Sequence, residues 1–113
     1  MAVYANLVVD QGSTFNSNIT VLEATGEDLT LEGYSVQAQI RKTYTSTTAI
    51  DFATEISDPE AGIITIKLDP ATTGSLKPGR YVYDVEITSP SEDVTRVIEG
   101  QLEVTPRVTR PAI

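Results

Sequence analysis

Carboxylates are the only reactive side chains this sequence holds in quantity. It carries 16 acidic residues against 8 basic ones, with no histidine and no cysteine. Losing those two residue types removes the usual general base at neutral pH, the thiolate nucleophile and the commonest transition-metal ligands. Asp84 and Glu86 alternate on one face of a strand pattern, and Glu99 and Glu103 do the same on the next one. Carboxylates forced together work as an acid–base pair. On an open sheet face they are instead solvated, with Arg41 or Lys67 expected between them. Asp58, Glu60 and Asp69 offer the oxygen ligands calcium takes, but without the Asp-x-Asp-x-Asp-Gly spacing of a dedicated loop. Ser75 stands two residues from Lys77 at a turn, and Lys77-Pro78-Gly79-Arg80 lacks the glycine spacing that wraps a phosphate. The sequence therefore predicts no catalytic, cofactor-binding or metal-binding residue.

The elements that would position these groups are strands. After the Pro78-Gly79 turn, Tyr81, Tyr83, Val85 and Ile87 alternate with Val82, Asp84, Glu86 and Thr88. Period two, with one apolar and one charged face, marks a strand half-buried in an antiparallel sheet. Val36, Ala38 and Ile40 alternate in the same way, as do Ile64, Ile66 and Leu68, and finally Ile98, Gly100, Leu102 and Val104. Strands are also predicted from Val3 to Val9, from Asn18 to Ala24, and through Ile50, Phe52 and Ile56. Turns are expected at residues 10–13, 25–28 and 58–62; the last, Asp58-Pro59-Glu60-Ala61-Gly62, should close a hairpin. Asp69-Pro70 reads as the N-cap and first residue of one short helical turn.

About seven short strands with turns at near-regular spacing predict an all-β fold, an antiparallel immunoglobulin-like sandwich of two sheets; a small barrel is the alternative. The expected core is Val36, Ala38, Ile40, Ile64, Ile66, Leu68, Tyr83, Val85, Ile98 and Leu102. Tyr81 and Tyr83 sit where many such folds place a tyrosine, although the Cys-Trp-Cys core of antibody domains is missing. At 113 residues the chain makes one domain, read as a sandwich over 1–104 followed by an extended arm over 105–113. The opening Met-Ala-Val-Tyr has neither a basic nor an apolar leader segment, and no apolar run approaches membrane-spanning length.

A net charge of -8 argues against nucleic acid and anionic membranes as partners. Residues 105–113 run the other way, with Arg107 and Arg110 and no acid. Two prolines exclude a regular central strand there. The segment is expected to lie on a neighbouring subunit, Arg107 and Arg110 pairing with acids while Val108 and Ile113 fill apolar pockets. Tyr4 is expected to serve likewise from the opposite edge. Tyr4, Tyr34 and Tyr44 near turns also suit a carbohydrate-binding module, a reading of another class.

The order of segments carries a family resemblance. The resemblance is carried by Val9-Asp10-Gln11-Gly12-Ser13-Thr14-Phe15, by Leu29-Thr30-Leu31-Glu32-Gly33-Tyr34 and by Val36-Gln37-Ala38-Gln39-Ile40-Arg41. Further on come Ala61-Gly62-Ile63-Ile64-Thr65-Ile66, Gly79-Arg80-Tyr81-Val82-Tyr83-Asp84-Val85 and Thr95-Arg96-Val97-Ile98-Glu99-Gly100. The layout resembles small structural proteins of tailed bacteriophages, and is similar to the N-terminal immunoglobulin-like domain of phage baseplate upper proteins. That resemblance implies a non-enzymatic virion component present in many copies, binding other virion proteins and assembled in a bacterial cytoplasm. Its two implied roles are an adaptor or accessory subunit of the tail, neck or baseplate, and a decoration protein on the capsid.

Overall fold

Alternation dictates the layers. In a computed structural model, which describes residues 3–21 and 30–109, the even-numbered apolar residues of Ile64 to Leu68 and the odd-numbered ones of Tyr83 to Ile87 face each other across two sheets. In chain order the strands are β1 (Val3–Tyr4), β2 (Leu7–Asp10), β3 (Phe15–Thr20), β4 (Ser35–Arg41), β5 (Ile50–Asp51), β6 (Ala53–Asp58), β7 (Ile63–Leu68), β8 (Gly79–Thr88) and β9 (Val94–Thr105). A short helix, α1 (Pro70–Ser75), joins β7 to β8. The larger sheet runs β1-β9-β8-β4-β5, with β2 also on β9; the smaller runs β3-β7-β6. This is the immunoglobulin-like two-sheet sandwich expected, with every sheet pairing antiparallel except those of β1 and β2 on β9.

Among the described residues, the nine strand segments reduce to seven runs of chain. The predicted strand from Val3 to Val9 is broken at Ala5-Asn6, where the chain passes over Gly100. A Cβ on Gly100 would overlap the Ala5 carbonyl, so the crossing needs glycine. Residues 50–58 split for a different reason: the chain changes sheets at Phe52. Ile50–Asp51 pair with β4, the Phe52 N–H donates to the Ala38 carbonyl at 3.0 Å, and Ala53–Asp58 then pair with β7. The second predicted strand begins earlier than expected, at Phe15 and not Asn18, because Phe15 pairs with Leu68 and packs 6.1 Å from Phe52. Its predicted end at Ala24 and the turn at 25–28 lie outside the described residues.

The core is aliphatic, threaded by three rings. Ile64, Ile66, Val85 and Leu102 are completely buried, and Phe52 bridges Phe15 to Tyr83, the latter edge-on at 6.3 Å. Each fully buried aliphatic side chain contributes about 1.5–3 kcal/mol. Val36 and Ile98 are only half-buried, against expectation. A bulge explains Ile98: Val85 faces Ile98 but Glu86 faces Arg96, which inserts Val97 as an extra residue and shares the inward role between two neighbours.

The turns follow their residues. Asp69 caps α1 by accepting from the Thr72 N–H at 2.7 Å, with Pro70 in the first turn. Those bonds from Thr72 hold the Asp69 carboxyl below the usual carboxylate range. Tyr81, near the start of β8, donates its hydroxyl to the Lys77 carbonyl four residues upstream at 2.7 Å. That bond is the tyrosine corner of immunoglobulin-like sandwiches.

Candidate interaction surfaces

Two regions present polar or apolar groups that the fold does not consume. The first is the outer face of the larger sheet. Cross-strand register sets Gln39 beside Asp84, Asp84 beside Glu99, and Glu86 beside Arg96. Acids opposite one another repel, and here Arg96 answers them. Its Nε lies 3.2 Å from Asp84 and its Nη1 3.5 Å from Glu99. Arg96 therefore takes the place expected for Arg41 or Lys67. Lys67 belongs to the smaller sheet, where it pairs with Glu55, and Arg41 donates to the Ser46 carbonyl and to Gln39. Such exposed pairs are worth up to about 1 kcal/mol each. They edge a shallow depression of about 280 Å³ lined by Gln39, Arg41, Asp84, Glu86 and Arg96, with Tyr44 72% exposed on its wall. Such a surface suits hydrogen bonding to a polar ligand.

The other candidate oxygen donors do not converge. Asp58 accepts from the Ala61 N–H in the β6–β7 turn, while Asp69 caps α1 beyond the far end of β7. A six-residue strand separates them by roughly 20 Å. No cluster of three potential ligands occurs among the described residues. Ser75 is engaged within its own helix, donating to the Thr72 carbonyl at 2.7 Å.

The second region is the edge formed by β1 and β2, together with the segment after β9. Tyr4 stands level with Glu99, and β9 continues to Thr105, paired with Asp10. Tyr4 is thus on the same edge as the C-terminal segment, not the opposite one. Their separation follows from strand rise: the eight residues from Glu99 to Arg107 span about 26 Å. Arg107 is half-buried against its own body. Its N–H donates to Gln11 Oε1, its Nε donates to the Thr109 carbonyl, and its guanidinium covers Gly12, whose φ of +82° favours glycine. Gln11 is tied in turn to α1 through the Leu76 carbonyl. Val108 is 97% exposed and Tyr4 62%. Arg110 and Ile113 lie outside the described residues.

Sequence reading missed Val3 and Val8, 64% and 60% exposed on this edge. The signal was present: Leu7 and Val9 alternate with Val8, which assigns Val8 to the outer face. Tyr34, grouped with Tyr4 and Tyr44 as a sugar platform, packs instead on the core.

No family model and no curated protein matches the chain. Among solved structures, it is similar to an internalin-like protein of Listeria monocytogenes, at 15% identity and a TM-score of 0.44, covering 94% of this chain and 28% of the other. It is similar also to a family 123 glycoside hydrolase from Clostridium perfringens, at 15% identity and a TM-score of 0.42, covering 93% and 23% respectively. The chain spans about a quarter of the length of either protein. Likenesses this remote assign neither family nor activity.

Proposed function

We propose that this chain is a non-catalytic structural subunit of a tailed-phage virion, an adaptor or accessory component of the tail, neck or baseplate. The observation that carries the reading is the β1–β2 edge. Val3, Tyr4 and Val8 stand largely exposed on strands that have a hydrogen-bonded neighbour on one side only among the described residues. Large apolar side chains beside unpaired main-chain groups suit an extended segment of another protein. The acidic balance supports a protein partner over nucleic acid, and the resemblance of the segment order supports a virion. Capsid decoration uses the same edge and differs only in the partner.

Antibody against the chain, applied to purified tailed particles from the source strain, tests this reading. Label on tail, neck or baseplate is expected, and label on capsids selects the decoration role. Particles that lack the chain overturn both. Tyr4→Asp with Val8→Asp should lower occupancy at least tenfold while the fold survives. A second reading, a carbohydrate-binding module, is favoured by Tyr44 beside the polar depression. Binding to a glycan array that Tyr44→Ala abolishes would establish it instead.

A further inference from the structure

We infer that β3 is a self-pairing edge, through which two copies of this chain join their smaller sheets about a two-fold axis. The inference is independent of the virion reading and survives its failure.

The described residues leave four edges. β1 and β2, the docking edge proposed above, offer only short runs interrupted at Ala5-Asn6, and β5 has two residues and ends on Asp51. β6 carries Glu55 and Asp58 and a bulge between Ile56 and Asp58. Charges, bulges and brevity are the usual defences of an exposed strand. β3 has none of them. Phe15-Asn16-Ser17-Asn18-Ile19-Thr20 is six residues without charge, proline, glycine or bulge, paired only to β7 among the described residues. In many immunoglobulin-like sandwiches the first strand lies in the sheet of the second. Here both N-terminal strands go to β9 and leave that place open.

Register shows which groups point outward. The Val21 N–H donates to the Gly62 carbonyl at 2.8 Å, so residues of that parity, Ile19, Ser17 and Phe15, spend their main-chain bonds on β7. Asn16, Asn18 and Thr20 therefore aim N–H and C=O at the open side. Antiparallel pairing centred on Asn18 sets Asn18 opposite its own symmetry mate and Asn16 opposite Thr20. Three such pairs make about six main-chain hydrogen bonds.

Both faces match in that register. Outside, the exposed Asn16, Asn18 and Thr20 meet one another, uncharged and able to hydrogen-bond. Inside, the half-buried Ile19 meets the half-buried Ser17, a small uncharged neighbour. The occupant is a second copy because the edge is complementary to itself. It is also neutral in a chain of net charge -8, so close approach sets no acid of β3 against another. An edge contact this small belongs to the weak class, below about 1,200 Å².

The absence of cysteine makes the register directly testable. Symmetry-related residues at position 18 should have Cα atoms about 5.5 Å apart, within the disulfide range of about 4.4–6.8 Å. Symmetry-related residues at position 16 are offset by about 13 Å. Under mild oxidation at high protein concentration, Asn18→Cys should give a disulfide-linked dimer at least roughly tenfold faster than Asn16→Cys. The double variant Asn16→Cys, Thr20→Cys should cross-link as Asn18→Cys does. Asn18→Lys, which sets like charges face to face, should lower the dimer fraction in sedimentation without altering the far-ultraviolet circular dichroism. Equal rates for Asn18→Cys and Asn16→Cys indicate random collision and overturn the proposal. So does an Asn18→Cys protein that stays monomeric while its thiol reacts freely with a maleimide.

Discussion

Tyr83 ties the core of the sandwich to the N-terminal crossing at Ala5. Its ring is buried against Phe52, and its hydroxyl donates to the Ala5 carbonyl at 2.6 Å, 78 residues away. Burial, with a smaller contribution from Tyr4, pushes its pKa from 10.0 up to about 12. The neutral phenol is thus favoured by folding. The stability this contributes is complete below the unfolded value near 10 and is lost as pH rises through about 12. Thermal midpoints measured from pH 9 to 12 should fall over that window, and Tyr83→Phe should flatten the fall. At pH 7 the same variant should cost about 1 kcal/mol for the lost hydrogen bond. An alkaline profile identical in the two proteins would remove this account of Tyr83.

At the scale of elements, the crossing at Ala5 decides where the N-terminus goes. The Ala5 N–H donates to the Glu99 carbonyl at 2.8 Å, the Gln101 N–H donates to Asn6 Oδ1, and Gly100 lies beneath with no room for a methyl group. Gly100→Ala should therefore detach β1 and β2 while leaving the β8–β9 hairpin paired, at a cost of about 1–3 kcal/mol. Hydrogen exchange should report it as lost protection confined to residues 3–10 and their β9 partners. Nothing local in the sequence announces this crossing, since Gly100 simply continues the alternation of Ile98 and Leu102. The bulge at Val97 was equally silent, because both Val97 and Ile98 are apolar. By contrast, β4, β7 and β8 were legible because their buried apolar residues keep period two and their turns carry Pro, Gly and Asp. Phe15 was missed because Asn16 and Ser17 separate it from the strand expected from Asn18, and only the pairing with Leu68 brings it in. The candidate surfaces were less legible than the core. Exposure of Tyr4 and Val108 depends on which strand is last in the sheet, and that is a property of pairing. Core truncation tests the legible part: Ile66→Ala and Leu102→Ala, each at a fully buried position, should cost about 2–5 kcal/mol apiece in denaturant unfolding.

For the whole molecule, the sandwich and the segment beyond it should separate cleanly. β9 closes on its own terms: the Gln11 N–H donates to the Thr105 carbonyl at 3.0 Å, and Thr105 Oγ1 donates to Asp10 Oδ1 at 2.8 Å. Deleting residues 106–113 keeps both bonds. It removes the Arg107 N–H bond to Gln11 and uncovers Gly12. That loss should cost about 1 kcal/mol, a fall of roughly 4–8 °C in Tm for a domain near this size, with a single cooperative transition retained. The deletion also removes Arg107 and Arg110, taking the net charge from -8 to -10. If the segment is an arm laid on a neighbouring virion subunit, the truncated sandwich should fold yet fail to join particles. Occupancy is the deciding measurement. A truncated protein that loads onto particles as fully as the intact chain removes the arm, and leaves the β1–β2 edge as the docking surface.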